Sequence, residues 1–247
     1  MINDTGWIAN LGSAGYLMVL DLQRRLVKLR QEGEVPDLLI LVEHEPVITL
    51  GRRGNSTNIL STVDELASQG IQIHQTERGG DVTYHGPGQL VAYPIIHLTQ
   101  REISIHTYVQ LLEETIILTL DGFNIRAGRE PQHRGVWVQD RKVAALGVAV
   151  RRWVTFHGFA LNVSPNLEHY CHINPCKLEH EQVTSMVKIL GEPVSMAEVT
   201  RKLLSKFIEL FPGVWHEISP DQVLRKIEAE DEPARAGVNP APTMLAK

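Results

Sequence analysis

Apolar positions along this chain fall into two periodicities, and glycine, proline and small hydroxyl residues mark where each stretch begins and ends. From Ser13 onward, Val19, Leu22, Leu26 and Leu29 recur at helical spacing, with Gly33 placed to stop the helix. Leu38–Val42 is a continuous apolar run that predicts a buried strand, and Val47–Leu50 predicts another after the turn at Glu45-Pro46. Thr62–Ser68 reads as a short helix ended by Gly70, followed by strands at Ile71–Gln75 and Leu90–Ile96. Ser104–Leu120 carries Tyr108, Leu111, Leu112, Thr115 and Leu118 in a helical pattern that Gly122 ends. Val136–Val138, Val143–Val150 and Phe156–Val163 predict strands, the last two joined through Arg151-Arg152-Trp153. Ser195-Met196-Ala197-Glu198 has the capping-box pattern and opens a helix carrying Val199, Leu203, Phe207 and Leu210, which Pro212-Gly213 terminates. Gln222–Ala229 predicts a last short helix.

Strands and helices are interspersed without strict strand–helix alternation, which predicts an α+β fold with a mixed β-sheet and packed helices. With 247 residues and no internal repeat, the expectation is one catalytic-sized domain over residues 1–230. From Asp231 the composition turns to Pro, Ala and other small residues with little to bury, so residues 231–247 are expected to be a disordered tail. Hydrophobic content of 43% and charged content of 21% are those of an ordinary globular protein. A net charge of −5 argues against a nucleic-acid protein relying on an overall positive field, so an acidic partner needs a local basic patch. Arg24-Arg25, Arg52-Arg53 and Arg151-Arg152 are available, though paired arginines serve equally as solvated faces.

Met1–Asn10 lacks the basic region and apolar core of a signal peptide, and no apolar run approaches the ~20 residues of a membrane helix. Two cysteines, Cys171 and Cys176, make no secreted disulfide framework. The chain therefore reads as cytoplasmic, with reduced thiols and no membrane or nucleic-acid partner.

One stretch, Arg78 to Pro94, is denser in chemistry than the rest. Four glycines and Pro87 stand among Arg78, Asp81, Tyr84 and His85, immediately before the apolar run at Leu90. Glycines let backbone approach a ligand closely, and polar side chains on such a loop are the usual material of a binding site. A plain hairpin turn needs one or two glycines. A second dense region follows in Lys142 to Gly147, Phe156 to Val163 and Ile173 to Cys176.

A thiolate accepts an acyl group from a thioester by exchange, but a free thiol of pKa ~8.5 is mostly protonated near neutral pH. An ammonium beside Cys176 would depress that pKa, and Lys142 could supply it if the fold joins them. On the residues alone the preferred reading is a buried structural cysteine for Cys176 and, more strongly, a solvated strand end for Lys142, although the Asn174-Pro175 turn places Cys176 on or near a loop. His169, Cys171, His172 and Cys176 crowd together, yet their spacing fits no paired zinc cluster and a disulfide does not suit a reducing compartment, so no metal is expected. His85 and His157 each precede a glycine and are candidate ligand contacts or structural histidines; Asp81 could equally cap a turn. Neither a phosphate-binding lysine loop nor a serine nucleophile elbow is present.

The stretch Arg78-Gly79-Gly80-Asp81-Val82-Thr83-Tyr84-His85-Gly86-Pro87-Gly88 resembles the signature of the lipoyl(octanoyl) transferases, a family related to the catalytic domain of biotin and lipoate ligases. Glu43 to Gly51, Gly135-Val136-Trp137-Val138, Lys142, His157-Gly158 and Asn174-Pro175-Cys176 match in order over residues 43 to 184. The resemblance implies a biotin/lipoate-ligase-like fold and transfer of an octanoyl group from octanoyl-acyl carrier protein to a lysine of lipoyl domains, in lipoate biosynthesis. Acceptors would be the lipoyl domains of 2-oxoacid dehydrogenase complexes and the glycine cleavage H protein. It implies Cys176 as nucleophile through an acyl thioester and Lys142 as the group that lowers its pKa and shuttles a proton, with no cofactor. Arg78 to His85, Ala145, Leu146 and Gly147, and His157, Gly158, Phe159 and Ala160 would bind substrate. A straight octanoyl chain needs a narrow apolar slot, where burial at ~0.8 kcal/mol per CH2 makes chain length matter. The rival readings are an ATP-dependent lipoate or biotin ligase, and a non-catalytic module that binds an acylated carrier or lipoyl domain.

Overall fold

The computed structural model of the protein describes residues 5–130, 133–174 and 182–236, with side chains through residue 228. Eleven strands and six helices follow one another as β1 (Thr5–Ala14), α1 (Tyr16–Glu32), β2 (Asp37–His44), β3 (Val47–Leu50), α2 (Val63–Ser68), β4 (Gln72–Gln75), β5 (Val82–His85) and β6 (Gln89–Ile95) among the described residues. The second half runs α3 (Ile105–Asp121), β7 (Gly128–Glu130), β8 (His133–Val138), β9 (Arg141–Arg151), β10 (Val154–Asn162), α4 (Met186–Leu190), α5 (Met196–Leu210), β11 (Val214–Glu217) and α6 (Pro220–Ala236).

Eight strands form one sheet in the order β11-β1-β2-β6-β10-β9-β8-β7, and β4-β3-β5 form a second, smaller sheet. The large sheet is mixed: β11, β1 and β2 run parallel, and β2 through β7 pair antiparallel. The α+β expectation holds.

The continuous apolar run of β2 follows from burial on both sheet faces. Leu38, Ile40 and Val42 meet Val19, Leu22, Leu26 and Leu29 of α1, which form the helical stripe legible in the sequence. Leu39 and Leu41 point the other way, into a core with Tyr108, Leu112 and Ile116 of α3 and Leu203 and Phe207 of α5. A separate cluster built on Ile48, Val82, Tyr84, Tyr170 and Val183 fills the space behind the small sheet. No helix among the described residues is long and apolar enough to cross a membrane.

Several elements differ from the expected ones. The first helix starts at Tyr16 and takes Gly15, not Ser13, as its N-cap. The residues before it form β1, whose pairing with β2 slips between Asn10 and Ser13. That irregularity, where the Asn10 side chain accepts from the Gly12 N–H at 3.0 Å, breaks the period-two alternation that would have marked the strand. Val82–His85, expected in a loop, is a strand paired with β3. The last helix extends through Ala236, into the stretch from Asp231 where composition predicts disorder.

A buried ion cluster ties the layers. Asp37, at the start of β2, takes Arg30 Nε of α1 at 2.8 Å and the Arg101 guanidinium. It also accepts the His97 N–H at 2.9 Å, so one carboxylate fastens three chain segments.

Candidate active site

Residues of both sheets line a cavity of about 840 Å³, a size ordinary for a small-molecule site. Three sequence segments meet there. β9 and β10 pair antiparallel with Ala145 opposite Ala160, Leu146 opposite Phe159 and Gly147 opposite Gly158, so two of the predicted segments form one wall. The signature loop is stitched to that wall by the Gly79 N–H, which donates to the Val148 carbonyl at 2.9 Å.

Gly158 owes its identity to packing. A Cβ there would lie 2.0 Å from the Ala92 carbonyl oxygen on neighbouring β6. Gly80 turns the loop at φ +92°, a conformation that glycine adopts without strain. The loop is zipped onto the chain after β3 by N–H donation from Gly51 to Asp81 O, from Arg52 to Arg78 O and from Arg53 to Gly80 O, at 2.9–3.1 Å.

Arg78 is buried, and its guanidinium serves the fold. Nε donates to Thr49 Oγ1 at 3.0 Å and Nη2 to the Thr49 carbonyl at 2.6 Å, locking the loop to β3. Asp81 fastens the turn at 55–58, accepting from the Asn55 N–H at 3.3 Å and Asn58 Nδ2 at 2.5 Å. Both line the cavity while holding its wall in place. Gly79, Gly80, Val82, Thr83 and His85 line it too. Tyr84 is the member of the predicted segment that does not: it points into the small-sheet core, with its hydroxyl 2.6 Å from His169 Nδ1.

The histidines behind the cavity are neutral at physiological pH. Burial lowers the pKa of His85 to about 3, and the cost of a second proton beside His44 and the charge of Arg78 push it the same way. His157 falls to about 3 by burial, the Glu77 carboxylate opposing, and burial lowers His44 to about 4. His44 Nδ1 donates to the Ala14 carbonyl at 2.9 Å, which leaves Nε2 to accept from the Tyr93 hydroxyl at 2.8 Å. His157 sits at φ +54°, its N–H donating to Gln23 Oε1 at 2.8 Å. A non-glycine residue held there requires surroundings that over-determine it, and the pairing of β10 with β9 does so.

Lys142 is the second residue of β9 and is half-buried at the cavity wall, against the expectation of a solvated strand end. Its Nζ lies 5.0 Å from the centre of the Trp137 ring. Its carbonyl accepts the Thr184 N–H at 2.9 Å, and Val183 pairs beside it. Cys176 lies outside the described residues. The chain leading to it is fixed by Asn174, whose N–H donates to the Asn58 carbonyl at 2.8 Å. Asn58 and Val183 both line the cavity.

His169 and His172 engage both ring nitrogens with protein partners. His172 contacts Ser61 Oγ at 2.8 Å and Gln69 Oε1 at 3.1 Å, and His169 contacts Tyr84 and Asn166. Cys171 is an exposed free thiol.

Tyr16, Tyr93, Asn162 and Tyr170 also line the cavity and were not singled out by sequence reasoning. Only Asn162 carries a local signal, as a polar residue inside the apolar run from Phe156 to Val163.

The family model described as Lipoyl protein ligase A/B catalytic domain matches residues 15–208. The chain is 44% identical over 222 residues to an octanoyltransferase of Desulforamulus reducens, covering 90% of this chain and 97% of that one. It is 47% identical over 205 residues to the octanoyltransferase of Alkaliphilus metalliredigens, covering 83% and 94%. Among solved structures, a bipartite lipoate protein ligase from Thermoplasma acidophilum superposes with TM-score 0.72 at 16% identity, over 91% of each chain. A lipoate-protein ligase A bound with ATP gives 0.73 at 17% identity, over 91% of this chain and 93% of that one. These two share the fold; the curated relatives, matched nearly end to end, carry the closer kinship. By its family model and by these relatives, the chain belongs to the lipoyl protein ligase A/B catalytic-domain family.

Proposed function

We propose that this octanoyltransferase draws its acyl group from octanoyl-acyl carrier protein, holds it as a thioester on Cys176 and delivers it to a lysine of a lipoyl domain. One observation supports this reading above the others. The signature loop, β9 and β10 converge on one cavity walled by small apolar residues, with the Lys142 strand at its edge. Ala145, Gly147, Gly158 and Ala160 leave room for a straight alkyl chain, and Phe159, Val91 and Val148 supply apolar surface around it.

In the first step the Cys176 thiolate, stabilised by the Lys142 ammonium, attacks the thioester carbonyl carbon. The new C–S bond forms as the donor's C–S bond breaks, and the departing thiolate takes a proton from Lys142. Cys176 is then acylated and uncharged, and Lys142 is a neutral amine. The acceptor lysine has an ordinary pKa of ~10.4 and must enter as the free amine, its first proton left to solvent. Its nitrogen attacks the acyl carbon, Lys142 removes the second proton, and the Cys176 thiolate leaves. An amide remains, with the ammonium–thiolate pair restored. No nucleotide enters, because the donor is already an activated ester. The acceptors in this reading are lipoyl domains of 2-oxoacid dehydrogenase complexes and the glycine cleavage H protein. A thiol nucleophile suits a reducing compartment, the cytoplasm.

Intact-protein mass after mixing with octanoyl-acyl carrier protein, without ATP, tests the covalent step. An octanoyl-sized gain is expected in the parent and none in Cys176→Ala. A folded parent that gains no mass would turn the reading toward an ATP-dependent ligase or a carrier-binding module.

A further inference from the structure

We infer that Asn162 is a positioning residue for Lys142, acting through the backbone of Thr184. The inference rests on the role proposed above for Lys142 and extends it to a residue to which the family resemblance gave no role.

Asn162 is the last residue of β10, 3% exposed, and lines the cavity. Its Nδ2 donates to the Thr184 carbonyl at 3.0 Å, and the Thr184 N–H donates to the Lys142 carbonyl at 2.9 Å. Val183, one residue earlier, forms a parallel bridge with Lys142. A single side-chain amide thus presses the pair 183–184 against the start of β9. Thr184 is 2% exposed, so without Asn162 its carbonyl would be left buried and unsatisfied, and the pair would shift to recover a partner.

The orientation of that amide is set from its other side. Asn162 Oδ1 accepts from the Tyr170 hydroxyl at 3.4 Å, the weakest link, and that hydroxyl accepts from Gln89 Nε2 at 3.0 Å. Gln89 Nε2 also donates to the Tyr84 carbonyl at 3.2 Å, which turns its Oε1 toward His85 Nδ1 at 3.1 Å. Each donor and acceptor is therefore determined along the chain from His85 to Thr184. Turning the Asn162 amide over would lose the bonds on both sides at once. This chain joins the signature loop to the Lys142 strand at side chains that a merely apolar slot would not need.

The test is the pH dependence of Cys176 alkylation by iodoacetamide in a Cys171→Ser background, which removes the exposed second thiol, followed by intact mass. It is run on the parent, Asn162→Ala, Lys142→Ala and the double variant, with folding checked by thermal denaturation. Both substitutions at 162 and 142 remove donors without adding a charge. Asn162→Ala is expected to raise the apparent pKa of the thiol by about one unit toward the ~8.5 of a free cysteine, read as about tenfold slower alkylation well below that pH. The double variant is expected to match Lys142→Ala, since a residue acting through Lys142 has nothing to add once it is gone. A parent-like pKa in folded Asn162→Ala beside a raised one in Lys142→Ala overturns this inference alone, as do additive shifts. A parent-like pKa in Lys142→Ala overturns the Lys142 reading, and this one with it. Should Asn162→Ala fail to fold, Tyr170→Phe carries the test: a smaller rise supports the inference, and no rise overturns it.

Discussion

Three buried neutral histidines make this fold sensitive to mild acid. His44, His85 and His157 are each less than a tenth exposed, and burial lowers their folded-state pKa values to about 4, 3 and 3. In the unfolded chain each returns to ~6.5. The folded pKa lies below the unfolded one, so between those values the unfolded chain holds a proton that the folded chain does not. The stability is present in full above about pH 6.5 and drains away as the pH falls toward the folded values. Each histidine loses about 1.4 kcal/mol between pH 8 and pH 5.5, hence about 4 kcal/mol for the three, a large part of the 5–15 kcal/mol of a typical domain. Glu77, held down to about 2 chiefly by its hydrogen-bonded pair with Arg24, acts in the same direction but only below ~4.5, so it contributes nothing to the change between pH 8 and pH 5.5.

Urea unfolding followed by tryptophan fluorescence at pH 8, 7, 6.5, 6 and 5.5 reads this directly. The parent should lose stability progressively below pH 7. His44→Gln is less stable at pH 8, having lost the bonds to Ala14 and Tyr93, but its pH slope should be about a third smaller. A parent whose stability is flat from pH 8 to 5.5, or a His44→Gln slope equal to the parent's, would refute the reasoning.

Three further perturbations probe the frame around the cavity. Gly158→Ala forces a Cβ to 2.0 Å from the Ala92 carbonyl oxygen, so β6 and β10 must separate; a loss of about 3 kcal/mol is expected by overpacking, and a melting temperature within a degree of the parent would contradict the contact. Asp37→Ala leaves Arg30 and Arg101 without their shared carboxylate and should cost about 3–5 kcal/mol by urea unfolding, whereas an unchanged midpoint would show that the cluster adds nothing. Arg78→Lys keeps the charge but loses the planar fork onto Thr49, so the signature loop should loosen; faster amide exchange at Gly79 and Gly80 is the expected sign, and parent-like protection would count against the lock.

The elements legible in the sequence are those whose burial pattern is set by one partner surface. The α1 stripe and the β2 run were readable because one helix face and one central strand meet continuous apolar layers. β1 and β11 were not. A bulge breaks the alternation of β1, and β11 is a short edge strand whose residues at 214 and 217 stay exposed, so neither carries the period that pairing imposes. The site divides along a similar line. Its glycines stood out because backbones meet there, as at Gly158 against Ala92, and that close approach leaves a compositional trace. The side chains that orient the chemistry leave almost none, because a hydrogen bond between Asn162 and Thr184 fixes only one polar residue in an apolar strand and is indifferent to the other's side chain. Arg78 and Asp81 show the converse. Both look like ligand-binding groups in the sequence and both line the cavity, yet each also anchors the protein: one holds β3, the other the turn at 55–58. A dense motif in such a fold therefore marks where backbone segments must converge. Which of its side chains face the substrate is decided by pairing partners far away in the chain.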